Sequence, residues 1–474
     1  MRRFGEGDRV HLIGIGGAGM SGIARILLAR GAVVSGSDAK DSRVVLALRA
    51  LGARVEVGHD AAYLPVVPAT VVVSTAIRQS NPELAGAHDR GLEVVHRARA
   101  LAALTTGRRL ACVTGTAGKT STTSMLTVAL QHCGLDPSFA IGGDLASSGS
   151  GAHEGTGEIF VAEADESDGS FLAFVPEVAV VTNVEADHLD HYGTVEAYVA
   201  SFEEFVGRIV PGGSLVSCAD DPGAEALART AESRGIPVRR YGRTAFGAGD
   251  GVLVDFRPDG TGARVVLRHT GVEHRLRLAV PGEHMALNAL GALLAGVELG
   301  ADPEGLLAGL AAFDGVRRRF EYKGRAGGVA VYDDYAHHPS KVAAQLRAAR
   351  EVVVAQKADT VDGCGRVVVA FQPHLYSRTR DFAQQFGQAL GLADEVVVLE
   401  VYGAREDPEP GVTGALVAEA VPLPRDRVHY VPRWSDVPAV LARLSRPGDL
   451  MITMGAGDVT VLGPEVLREL ERRA

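Results

Sequence analysis

One stretch constrains this chain more than any other. Cys112-Val-Thr-Gly115-Thr116-Ala-Gly118-Lys119-Thr120-Ser121-Thr122 follows directly on the β-branched run 109–114. A strand that stops at glycines, then Lys and hydroxyls that open a helix, is the pattern of a phosphate-binding loop. Successive backbone N–H groups cradle phosphates, the lysine neutralises the β/γ oxygens, and the next hydroxyl reaches Mg2+. The strict motif would need Gly at 113, where Val113 stands, so this is a variant form. Lysine occurs at only five positions (40, 119, 323, 341 and 357), against 43 arginines. A coding bias toward Arg explains the imbalance, and the placing of one scarce lysine in this loop argues against chance.

Such a loop belongs to a parallel sheet flanked by helices, and the rest of the chain repeats the theme. Short β-branched runs at 9–15, 69–74, 109–114, 178–183, 366–371 and 395–399 alternate with Ala/Leu-rich stretches. That alternation predicts an α/β fold with mostly parallel sheets. Glycine-rich turns follow strand candidates at 14–19, 115–118 and 455–457, one in each third of the 474 residues. The reading is therefore three nucleotide-fold-like domains, with boundaries near 105–107 and 314–319. The segment 247–278 alternates apolar and polar residues around a Pro–Gly turn, and predicts a small antiparallel insertion in the middle domain.

Composition excludes several classes. Acidic residues outnumber basic ones, 58 to 48, for a net charge of −10, which speaks against a nucleic-acid backbone binder. Cys112, Cys133, Cys218 and Cys364 form neither a CxxC nor a disulfide framework. Glu6 and Asp8 interrupt any apolar leader, and the apolar stretch 285–300 contains Asn288 and Glu298, so no membrane insertion is expected. A cytoplasmic setting follows as the expectation.

Two further constellations carry chemistry. His11-Leu-Ile-Gly14-Ile-Gly16-Gly17-Ala18-Gly19-Met20-Ser21 places GxGxxG between a strand and a helix, and Asp38 ends the next strand. Glycines there admit a diphosphate to the N–H groups of a helix start; NAD and UDP-sugars both carry one. Glu163-Ala-Asp165-Glu166-Ser167-Asp168 and Thr182-Asn183-Val-Glu185-Ala-Asp187-His188 end two more strand candidates. Neighbouring parallel strands would bring these carboxylates and one imidazole to the P-loop edge, a donor set suited to one or two Mg2+ ions.

These motifs together resemble the Mur ligase family, ATP-dependent amide-forming enzymes of peptidoglycan precursor synthesis. The P-loop, Glu163, Thr182-Asn183, Asp187-His188 and Pro281-Gly-Glu-His284-Met-Ala-Leu-Asn288 match the general family form. The glycine-loop segment 11–21, Asp333-Asp-Tyr-Ala-His337-His338-Pro339 and Phe371-Gln-Pro-His374-Leu-Tyr-Ser-Arg378-Thr-Arg380 resemble the branch that joins UDP-N-acetylmuramate to L-alanine. The resemblance implies a UDP-sugar-binding Rossmann-like domain at 1–106, an ATP-binding domain at 107–318 and a closing Rossmann-like domain at 319–474. It implies that Gly115, Thr116, Gly118, Lys119, Thr120 and Ser121 hold ATP, with His284, Asn288, Arg319 and Asp334. It implies two Mg2+ ions, Thr120 on one, His188 on the second and Glu163 bridging them, and Lys119, Glu163, His188, Arg319 and His337 would act in catalysis. Gly14, Gly16, Gly17, Ala18, Gly19, Met20, Ser21 and Asp38 would take the UDP-sugar. Tyr335, His337, His374 and Arg378 would surround the alanine, Arg378 facing its carboxylate. The enzyme is expected to act as a monomer or homodimer.

Some positions depart from the family or stay open. Ala117 stands where many relatives carry His or Asn, and Leu375 where many carry Arg. No lysine lies between His188 and Arg208, so a carbamylated lysine is unavailable there. Asp190, His191, Arg317 and Arg318 are expected as surface residues. Arg380 reads equally as salt-bridge partner or substrate contact, and Glu166 equally as substrate contact or turn cap. Two alternatives remain: a recycling ligase that takes a preformed murein tripeptide, and a NAD-dependent dehydrogenase. The latter accounts only for the first glycine loop.

Overall fold

The computed structural model describes residues 4–244, 247–357, 365–404 and 406–473. Cys364 lies outside them, and the remaining cysteines are free thiols. The chain divides into two compact units: residues 1–253, 268–273 and 287–312, and residues 254–267, 274–286 and 313–474.

The N-terminal sheet has five parallel strands in the order Arg54–Val57, Val33–Asp38, Arg9–Ile13, Thr70–Val73, Glu93–His96. The order reverses between Arg9–Ile13 and Thr70–Val73. Open α/β sheets bind ligands at the strand C-termini beside such a reversal, which is where 14–21 lies. The next sheet has ten strands and places Arg109–Thr114 between Val178–Val181 and Ile159–Glu163, parallel to both. All four residues of Val178–Val181 are buried, as expected of a strand covered on both faces. The segment read as an antiparallel insertion forms Gly251–Asp259, Gly262–His269 and Val272–Leu278. Tight turns at 260–261 and 270–271 join them, connections that only antiparallel neighbours allow.

The helix Lys119–His132 is rich in hydroxyls, which ordinarily compete with helical hydrogen bonds. Here the competition is resolved locally. Thr123 Oγ1 donates to the Lys119 carbonyl and Thr127 Oγ1 to the Thr123 carbonyl, both at 2.8 Å. A second helix, Pro303–Ala312, packs against it closely because Gly309 has no side chain. A Cβ there would stand 2.6 Å from Ala129 Cα. The apolar stretch near 285–300 is the buried helix Glu283–Glu298. No helix among the described residues is long and apolar enough to cross a membrane.

The C-terminal sheet has six strands in the order Glu321–Ala326, Val329–Asp334, Leu450–Met454, Val367–Phe371, Glu395–Val398, Val428–Tyr430. All pair in parallel except the first, which is antiparallel to Val329–Asp334. All six residues of that strand are buried, and it delivers Asp333 and Asp334 to its C-terminal end.

Candidate active site

The P-loop forms as its composition requires. Gly115 and Gly118 take φ of 129° and 86°, values that L side chains rarely adopt, and the helix starts at Lys119. Lys119 Nζ donates to the Gly115 carbonyl at 2.8 Å and to Glu166 Oε1 at 2.7 Å, and stands 2.6 Å from Glu166 Oε2 as its ion-pair partner. Burial opposes its charge, but Glu166 first, then Asp165 and Glu163, hold the ammonium above its ordinary range. The Thr120 hydroxyl donates to Glu163 Oε1 at 3.0 Å, while Glu163 Oε2 accepts from Gly142 N at 2.7 Å. Asn288 meets the loop from its own helix: a Cβ on Gly118 would stand 2.9 Å from Asn288 Oδ1.

The loss of a side chain at Ala117 is accompanied by a backbone clamp. Ala117 N donates to Asn183 Oδ1 at 2.7 Å, and Asn183 Nδ2 donates to the Ala117 carbonyl at 3.2 Å. The Thr116 hydroxyl bonds the Glu185 carbonyl and Tyr198 OH, each at 2.9 Å. His188, with φ of 54°, sets its Nε2 3.5 Å from Asp187 Oδ2 and 3.8 Å from Glu166 Oε1. Ser121, expected at the nucleotide, is buried in the first turn of the helix.

Glu166 is thus neither open alternative alone: it is fully buried and is the counter-ion of the P-loop lysine. Asp165 is held at about 2; burial would raise it, but Lys119, Arg97 and His188 outweigh that, aided by a bond from Ser167. Sequence reasoning did not assign Arg97, Asp165 or Tyr198. The acidic run was the available signal, but nothing in it tells which carboxylate meets the lysine.

At the first glycine loop, Gly14 N and Ile15 N both donate to the Ser37 carbonyl, which fixes the turn. Gly16 N donates to Asp38 Oδ2 at 2.9 Å, and Lys40 N to Asp38 Oδ1 at 3.1 Å. Asp38, expected as a substrate ligand, therefore clamps the loop itself. Gly17 caps the helix Ala18–Ala29, and Ser21 N bonds back to the Gly17 carbonyl. Met20, expected at the substrate, packs in the hydrophobic core at 3% exposure. His11 is likewise internal, with Nε2 2.7 Å from Glu83 Oε2.

In the C-terminal unit, Asp334 accepts from Phe320 N at 2.8 Å and Ala336 N at 2.7 Å. Burial raises its carboxyl to about 6 despite those bonds and the Arg319 charge. Arg318 corrects the surface expectation: its Nη2 donates to the Gly455 and Gly457 carbonyls at 2.9 and 3.0 Å. Arg318 and Arg319 place their guanidinium carbons 4.7 and 5.0 Å from the Tyr335 ring centroid, within cation–π range. The His337 ring packs on Tyr335 and His374 at 5.2 and 5.8 Å, and Arg378 is buried nearby in the sheet-edge helix Tyr376–Leu390. His337 Nδ1 lies 2.9 Å from the Tyr335 carbonyl, which can only accept. The proton is therefore on Nδ1, and Nε2 keeps its lone pair. His284 is neutral at pH 7, since burial lowers it to about 4. Arg317 and His191 are exposed as expected, and Arg380 pairs with Asp381 and Glu409 at the surface.

Strained backbone occurs in both units. Among the described residues, His188 in the first and Arg318, Phe320 and Leu375 in the second are four of seven non-glycine residues with positive φ. Such backbone persists only where the surroundings over-determine it, and it clusters at functional sites.

A P-loop lysine, a hydroxyl–carboxylate pair at the next position and a glycine loop at a sheet reversal define a multidomain α/β nucleotide-phosphate enzyme. Residues 9–109 match the Mur ligase family catalytic domain, 113–296 the Mur ligase middle domain and 318–457 the Mur ligase glutamate ligase domain. The chain belongs to the Mur ligase family. It is 64% identical over 470 residues to a UDP-N-acetylmuramate–L-alanine ligase of Saccharopolyspora erythraea, covering 98% of this chain and 94% of that one. It is 58% identical over 480 residues to the ligase of the same name from Mycobacterium tuberculosis, covering 98% and 95%. Among solved structures, a UDP-N-acetylmuramate–alanine ligase from Thermotoga maritima superposes with a TM-score of 0.79 at 28% identity, covering 98% of this chain and all (100%) of that one. A murein peptide ligase from Psychrobacter arcticus shares the fold, with a TM-score of 0.70 at 24% identity over 98% of this chain and 99% of that one.

Proposed function

We propose that this protein is an ADP-forming ligase that joins the carboxylate of UDP-N-acetylmuramate to the amine of L-alanine in peptidoglycan precursor synthesis, in the cytoplasm. The observation that carries this reading is identity of 58–64% to ligases of that name across 98% of the chain. The duties divide by segment: 1–106 for the UDP-sugar, 107–318 for ATP and 319–474 for closure and the amino acid.

The first step moves the γ-phosphoryl group of ATP onto a sugar carboxylate oxygen, breaking the bond to ADP. Two anions must approach, so positive charge has to be concentrated locally in a chain of net charge −10. Lys119 supplies it in the P-loop, and Arg319 would add to it. Thr120 and Glu163 offer adjacent hard oxygen donors, with His188 a further ligand. This set fits Mg2+, which would neutralise phosphoryl charge. Among the described residues no group of three or more His, Cys, Asp or Glu converges as a metal cage. Mg2+ needs none, because phosphates and waters complete its shell. In the second step the alanine amine attacks the acyl phosphate carbon and inorganic phosphate leaves. The amine proton passes to a base, for which His337 Nε2 has a lone pair. Tyr335, His374 and Arg378 would orient the amino acid.

The test is Lys119→Ala. It should abolish ADP release with UDP-N-acetylmuramate and L-alanine while UDP-sugar binding stays measurable. Undiminished turnover would overturn the proposal. Turnover with a murein tripeptide and not with L-alanine would instead indicate a recycling ligase.

A further inference from the structure

The glycine loop at 14–21 has no basic side chain of its own. A helix start supplies only about half a unit of positive charge, well short of a diphosphate. A cation from elsewhere in the fold is needed. Arg97 begins the helix Arg97–Leu104, immediately after the strand Glu93–His96. That strand runs parallel to Thr70–Val73, and Thr70–Val73 to Arg9–Ile13, so Arg97 leaves the sheet at the same edge as the loop.

Its guanidinium closes the remaining distance. A Cβ on Gly19 would lie 3.2 Å from Arg97 Nη1, so the absence of a side chain at 19 makes room for this cation. On its other side Nη2 donates to Asp165 Oδ2 at 3.2 Å and stands 3.8 Å from Asp168 Oδ2. The side chain keeps 25% of its surface exposed. Arg97 therefore sits between the first turn of the loop helix and the acidic run beside the P-loop, with one fork toward each. A planar guanidinium accommodates phosphate and carboxylate oxygens with the same geometry.

We propose that Arg97 is a diphosphate-binding residue of the UDP-sugar site, and that it gives up Asp165 and Asp168 for phosphate oxygens when the substrate binds. This rests on the UDP-sugar reading above. Asp165 and Asp168 then act as an internal competitor that sets the affinity of the loop.

Calorimetric titration of the nucleotide-free full chain with UDP-N-acetylmuramate tests this. Arg97→Ala should weaken Kd by about 10- to 100-fold, the range of a charge-assisted hydrogen bond, and Arg97→Lys should restore part of the loss. Asp165→Asn should tighten Kd, because it releases the guanidinium. A purely structural strap predicts the opposite sign: losing either partner would weaken binding alike. That result, or unchanged binding by Arg97→Ala, overturns the inference. ADP affinity of Arg97→Ala, retained if the fold is intact, separates a binding defect from misfolding. Absence of UDP-sugar binding by the wild type would overturn the substrate reading itself, and this inference with it.

Discussion

Lys119 Nζ stands 2.6 and 2.7 Å from the two carboxylate oxygens of fully buried Glu166, so the P-loop cation is already paired before any phosphate arrives. Nucleotide binding must exchange one anion for another at this nitrogen. Glu166→Gln keeps a neutral acceptor but removes the competing charge. Two opposite effects are expected. Stability without nucleotide should fall by about 1–3 kcal/mol, because a buried ammonium loses its counter-ion. ADP should bind roughly tenfold tighter, equivalent to about 1.4 kcal/mol. Chemical denaturation and ADP titration check both; weaker ADP binding would place Glu166 among the nucleotide's own ligands.

Much of this arrangement was legible in the sequence because it depends on local rules. A β-branched run followed by Gly115, Gly118 and Lys119 can form only a strand, a turn and a helix start. The strand 109–114 falls where those rules put it. Long-range pairing was not legible. Glu163, Asp165, Glu166 and Asp168 look alike in sequence, and their distinct partners follow from which strand lies beside the P-loop. Met20 shows the converse error: it stands inside a motif, yet its side chain faces the core. Arg318 reads in sequence like Arg317, as an exposed charge, yet it donates to the carbonyls of Gly455 and Gly457.

Asp334 makes the C-terminal unit pH-sensitive in a defined direction. Its carboxyl is raised to about 6, so the folded state holds a proton that the unfolded chain releases near 4. Its stabilising contribution is complete below about pH 4 and is lost as pH rises through 6. Asp334→Asn does not titrate. The difference in unfolding free energy, variant minus wild type, should therefore shift in the variant's favour by about 3 kcal/mol between pH 4 and pH 7. Denaturant melts of both proteins across that range measure it, and a pH-independent difference would refute the assignment.

His337 is poised as a base by its tautomer. Nδ1 is committed to the Tyr335 carbonyl, and burial, with the charges of Lys341 and Arg378, holds the ring well below its ordinary value. Nε2 is therefore unprotonated at neutral pH, so the acid limb of kcat should fall below about pH 6.5. His337→Ala should lower kcat by about 10²- to 10⁴-fold, the usual weight of a general base, with little change in the KM for L-alanine. A change confined to that KM, with kcat and its pH profile intact, would leave His337 as a substrate contact only.

The core of the N-terminal sheet contains a hydrogen-bonded knot around one carboxylate, one member of which, His11, stands in a motif the sequence presented as a ligand site. Glu83 Oε2 lies 2.7 Å from His11 Nε2, while Oε1 takes Ser37 Oγ at 2.6 Å and His59 Nδ1 at 2.8 Å. Burial pushes this carboxyl up, but the bonds from His11, Ser37 and His59 outweigh it and hold it below the ordinary range. The knot spans the strands Arg9–Ile13 and Val33–Asp38 and the helix Pro82–Asp89, so it fixes the strands that carry the glycine loop and Asp38. Removing the carboxylate charge weakens the hydrogen bonds that satisfy buried His11 and Ser37. Glu83→Gln should therefore cost about 1.5–3 kcal/mol at pH 7. A lowered carboxyl stabilises above its unfolded value and loses that contribution as pH falls. The gap between wild type and variant should accordingly narrow below about pH 4. Parallel denaturation curves at pH 7 and pH 3.5 decide it: an equal gap at both would mean that shape, and not charge, holds these elements together.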